Sequence, residues 1–143
     1  MELPEHLRDM FADNVRTARE ILREEGEVGP VMFMGKRNGN VYLPVDGFPN
    51  ASLLGQFVRF ATAEFEAEWV LLVLDTMMEN QDTHAKGRNI LWVLETKTGG
   101  HWTAHAPVVT KNRKKTFGDV KLVLTKTAAG DIAGLFNREG SIN

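Results

Sequence analysis

His101 and His105 stand four residues apart, a spacing at which two imidazoles on a helix hold one metal ion between them. Gly99-Gly100 before them and Pro107 after them argue instead for a strand. Four strand residues at about 3.3 Å each set the rings roughly 13 Å apart, whereas metal–ligand bonds are about 2 Å long. One ion cannot reach both, so the pair reads as polar positions, with Thr103, on a half-exposed sheet face. A second group, Asp75, Glu79, Asp82 and His84, offers carboxylates and an imidazole for acid–base work. Such groups act only when they converge within hydrogen-bond distance. Nothing in their spacing forces that: there is no His-Glu-x-x-His, no calcium loop and no Ser-centred elbow. Gly87 and Gly99-Gly100 match neither glycine-rich phosphate loop. With no cysteine in the chain, a thiolate zinc site, a Cys nucleophile and a disulfide scaffold are excluded together. No catalytic residue, metal ligand or cofactor is expected. A small hydrolase using Asp75, Glu79 and His84 stands as an alternative, and it requires those side chains to meet in one pocket.

The cations are more suggestive. Lys111-Asn112-Arg113-Lys114-Lys115 carries four in five residues, and Lys36-Arg37, Lys86 and Arg88 are further candidates to contact phosphate. Each neutralised phosphate adds affinity that falls with salt, while base stacking needs exposed aromatics nearby. Phe117 is the nearest aromatic and is expected to face the core. The net charge of −2 argues against a surface that seeks nucleic acid everywhere. A nucleic-acid-binding accessory protein using the basic loops is therefore the alternative reading, and a solvated hairpin tip the plainer one.

The elements that position these residues follow from periodicity. Residues 5–25 repeat apolar side chains at the steps of one helical face (Leu7, Met10, Phe11, Val15, Ala18, Ile21, Leu22), with Pro4 at the start and Gly26 as a stop. Residues 31–36 and 40–45 flank Asn38-Gly39, a strong hairpin-turn signal, and Pro44 marks the second strand as an edge or a bulge. Asn50 caps a helix over about 51–66 whose apolar face is the broader of the two. Trp69 to Asp75 is a continuous apolar run, too short for a free-standing helix and without the alternation of a half-solvated strand. It is predicted to be the central strand, covered on both faces. Residues 76–88 read as a long polar loop, 89–96 and 101–109 as strands, and Val120 to Thr125 as a last strand. Ile132, Leu135 and Phe136 are expected to dock, and residues 137–143 to fray.

At 143 residues, 43% hydrophobic and 25% charged, the chain fits one domain spanning 1–143. The fold class is α+β: one antiparallel sheet of about five strands with two main helices, in the order α-β-β-α-β-β-β(-β). This order resembles profilin-like and roadblock-type domains in topology. The apolar strand ending in an acid and Met (Trp69 to Met78), the strand Trp102-Thr103-Ala104-His105-Ala106-Pro107 and the closing Ala133-Gly134-Leu135-Phe136 resemble a group of small uncharacterised bacterial and phage proteins. That resemblance implies no known activity. No signal peptide and no bilayer-spanning run are visible, so a cytoplasmic protein without a membrane partner is expected. The leading expectation is a non-enzymatic interaction module that self-associates as a homodimer, with Met32, Met34, Met77 and Met78 as adaptable apolar surface.

Overall fold

A computed structural model of the chain describes residues 2–36, 39–79, 82–125 and 134–136. Helix α1 (Glu5–Glu25) buries Leu7, Phe11, Val15, Ala18 and Leu22, the face its periodicity marks. Gly26 ends it in the left-handed region (φ 82°), its N–H donating to the Leu22 carbonyl at 2.8 Å. Strands β1 (Val31–Lys36) and β2 (Gly39–Pro44) form an antiparallel hairpin, with Lys36 opposite Gly39. The connection, which includes Arg37 and Asn38 of the expected turn, lies outside the described residues. Helix α2 (Ala51–Phe65) starts where Asn50 Oδ1 accepts the Leu53 N–H at 2.9 Å.

Strands β3 (Trp69–Glu79), β4 (Lys86–Thr96) and β5 (His101–Pro107) complete the middle of a sheet ordered β2-β1-β3-β4-β5-β8, where β8 is Val123–Leu124. All pairings are antiparallel. Trp69 to Val73 are all buried, and alternation along the strand explains how. Trp69, Leu71 and Val73 join α1 with Ile90, Trp92, Leu94 and Trp102 on one face. Val70 and Leu72 join α2 with Met32, Met34, Val93 and Leu135 on the other. The two helices thus cover opposite faces, and the central run is shielded from both sides by the chain itself.

Four expectations need correction. Residues 76–88 are not a long loop: β3 and β4 run on as a paired ribbon to Glu79 and Lys86. Backbone pairing holds that extension beyond the core, so its side chains show no apolar rhythm to read. The stretch after β5 is a small separate ribbon of β6 (Val109–Lys111) and β7 (Lys114–Thr116), turned by Asn112 and Arg113, both at positive φ. The last strand is only Val123–Leu124, shorter than the expected Val120 to Thr125, and it completes the six strands of the main sheet. Met32 and Met34 are core residues, which leaves Met77 (62% exposed) as the prominent surface methionine. Ile132 and residues 137–143 lie outside the described residues.

Candidate functional site

The end of the sheet where β3 and β4 overrun the core collects most of the residues singled out for chemistry. Asp75 and Arg88 come from adjacent strands on the face that α1 covers. Ile90 is directly opposite Asp75, so Arg88 is its diagonal neighbour. The guanidinium grips the carboxylate with both arms: Nε donates to Oδ1 at 2.6 Å and Nη2 donates to Oδ2. The Val28 N–H donates to Oδ2 at 3.1 Å. Burial pushes the Asp75 carboxyl up, but the Arg88 bonds, the Val28 N–H and the charges of Arg88 and Lys115 outweigh it and hold it below its ordinary value. Arg88 is raised in turn, chiefly by its bond to Asp75. Arg88 Nη2 also donates to the Gly26 carbonyl at 2.9 Å, and Lys115 Nζ donates to the same oxygen at 3.3 Å. Two cations therefore close the C-terminus of α1, where the helix dipole is negative. This constellation is a clamp that pins α1 and the β6–β7 ribbon to the sheet.

The other acids do not join it. Glu79 pairs at 3.8 Å with His84, both exposed, four residues further along β3 than Asp75. At about 3.3 Å per residue, that is roughly 13 Å away. The hydrolase grouping of Asp75, Glu79 and His84 is thus not brought together. Glu79 instead lines a small cavity of about 250 Å³ with Thr83, Lys86, Asn89 and His105. That is below the roughly 300–1,000 Å³ of ordinary small-molecule sites. His105 lines the same cavity from β5, although the strand register sets it opposite Leu91 rather than beside Glu79.

His101 and His105 diverge as expected. His101 is buried, not half-exposed as the sequence suggests, with Nδ1 3.1 Å from Glu95 Oε2 in a close contact that is not aligned as a hydrogen bond. Glu95 Oε1 accepts the Leu135 N–H at 3.0 Å, so this buried carboxylate tethers the segment 134–136 to the sheet. Among the described residues no three potential metal ligands converge.

The basic candidates split into two places. Lys36 ends β1 beside Trp69, at the opposite end of the sheet from Lys86, Arg88 and the ribbon, so these cations do not gather in one place. Its ammonium lies 4.5 Å from the Phe65 ring centroid. It also lines a cavity of about 780 Å³ with Glu66, Glu68 and Lys97, equal numbers of acids and bases that favour neither kind of ion. Arg37 lies outside the described residues. Arg88 and Lys115 are engaged as above, which leaves Lys86, Lys111, Arg113 and Lys114 as exposed cations near one end. Phe117 is buried against Trp92, so no exposed ring accompanies them there.

The feature least explained by internal contacts is β2. All six of its residues are exposed, it carries no charged side chain, and it is an outer strand of the main sheet. Tyr42 is 67% exposed. Among the described residues no helix is long and apolar enough to cross a membrane. Comparison of the chain with protein-family models, with curated proteins and with solved structures finds no match, so the reading of function rests on the geometry alone.

Proposed function

We propose that this protein is a non-enzymatic interaction module that associates with a second copy of itself. The observation that carries the reading is the exposed, uncharged edge strand β2. Sheets ordinarily protect such edges with charges, bulges or a covering loop, because a row of unpaired N–H and C=O groups templates another strand. Among the described residues of β2, Pro44 at its far end is the one that acts in that way. The sheet faces are already covered by α1 and α2, so the edge rather than a face is where a partner adds most. Two of the carboxylates support the same reading, because Asp75 is held by Arg88 and Val28 and Glu95 by Leu135, each in a contact within the fold.

Light scattering across a concentration series tests this. A mass that rises towards twice 16.0 kDa is expected. Val41→Lys with Leu43→Lys, which charges the edge without touching the core, is expected to restore the monomer with unchanged circular dichroism. A strict monomer at high concentration overturns the proposal.

A further inference from the structure

The backbone of β2 specifies how two copies would meet. The Val45 N–H donates to the Pro30 carbonyl at 2.9 Å. Rungs of an antiparallel pair alternate, so Leu43 and Val41, like Val45, turn their peptide groups toward Met32 and Met34 of β1. Pro44, Tyr42 and Asn40, opposite Val31, Phe33 and Gly35, turn theirs outward. Pro44 is thereby accommodated, since the N–H it lacks would have pointed away from β1.

Resting on the self-association proposed above, we infer that β2 pairs antiparallel with β2 of a second copy, Tyr42 opposite Tyr42, extending one sheet through both molecules. In this register each Tyr42 exchanges N–H and C=O with the other, and each Asn40 N–H donates to the second copy's Pro44 carbonyl. Val41 then lies against Leu43 of the second copy in the close, non-hydrogen-bonded pairs. A shift by two residues that centres on Val41 keeps the backbone bonds but sets Leu43 against Gly39 and loses those apolar contacts. The strand ends also match in charge. Lys36 precedes β2 and exposed Asp46 follows it, so antiparallel copies bring unlike ends together.

Helix α2 covers one face of the sheet. Its Thr62 and Glu66 line the cavity that Phe136 and Lys97 share, toward β4. Phe57 meets Phe48, just beyond β2, with ring centroids 5.2 Å apart. Leu53 and Phe60 (58% exposed) lie nearly opposite the buried Val58 and Thr62 around the helix and so face solvent, away from the sheet. Val41 and Leu43 share the α2 face of the sheet, because they pair with Met34 and Met32. A two-fold axis perpendicular to the sheet keeps both α2 helices on one side.

Two variants test the register. The chain has no cysteine, so Tyr42→Cys introduces a single thiol. Opposed hydrogen-bonded residues have Cα atoms about 5.5 Å apart, within disulfide reach. Mild oxidation is expected to give a covalent dimer with Tyr42→Cys and none with Met77→Cys, which is exposed on β3. Tyr42→Pro removes the outward N–H together with the ring beside Phe33, so it is read against Tyr42→Ala, which loses the ring alone. Relative to that variant it should raise the dimer dissociation constant about tenfold or more while leaving the circular dichroism intact. A wild-type dimer that neither crosslinks at Tyr42 nor responds to Tyr42→Pro beyond Tyr42→Ala overturns this inference and leaves self-association standing. A wild type that is monomeric throughout overturns both.

Discussion

Gly35 sits opposite Trp69 on the neighbouring strand, and a Cβ on it would lie 2.1 Å from the indole ring. The ring is planar and buried, so it cannot yield as a flexible chain end would. Gly35→Ala is therefore expected to cost about 1–3 kcal/mol, the range for overpacked cores, and thermal unfolding measures it. Asp75 is the other residue on which much turns. Its carboxyl titrates lower in the folded protein than when unfolded, so it adds stability above the unfolded value, and that contribution fades as the pH falls through the folded value. Asp75→Asn leaves the half-buried Arg88 short of its partner and should cost about 2–3 kcal/mol at neutral pH. The gap between wild type and variant should narrow steadily below about pH 5, as urea midpoints would show. A gap independent of pH would mean that the charge of Asp75 contributes nothing. The sequence marks Asp75 as a strand-end acid, but its partner is legible only once the β3–β4 register makes Arg88 its diagonal neighbour.

The long elements are the most legible ones. Helix α1 appears where its seven apolar positions recur, and α2 begins at Asn50, because an amphipathic face and a cap are local properties. The β3–β4 extension and the β6–β7 ribbon are not legible, because paired polar strands outside the core need no apolar rhythm. What holds the ribbon is tertiary. Arg19 of α1 donates from Nε to the Phe117 carbonyl at 3.2 Å and from Nη2 to the Gly118 carbonyl at 3.0 Å. Its guanidinium carbon also lies 4.6 Å from the centroid of the Phe117 ring. Arg19→Ala should cost about 1–2 kcal/mol. It should also speed hydrogen exchange in residues 109–118 more than in β3, and a uniform change across the chain would show that the tether is not local.

At the scale of the whole molecule, the division of cations between two ends bears on the nucleic-acid alternative. With Arg88 and Lys115 bound to α1 and to Asp75, and Lys36 at the far end, only Lys86, Lys111, Arg113 and Lys114 stand exposed together among the described candidate cations. That is short of the roughly 6–10 phosphate contacts of a strongly salt-dependent binder. The protein is expected to pass through immobilised DNA or RNA unretained at physiological ionic strength. Retention there that Lys111→Glu and Lys114→Glu abolish would restore that reading. The sequence by itself determined the class of the fold: two amphipathic helices, a pair of short strands around an NG signal and an apolar run without alternation require one sheet covered on both faces, since burial of apolar surface outweighs most competing preferences. Which strands end at the edges, which cation neutralises Asp75, and that Met32 and Met34 point inward while Tyr42 does not, were decided only by the tertiary structure. Those outcomes depend on strand order and register, which join residues distant in sequence, and no local pattern of side chains records which neighbours a strand will find.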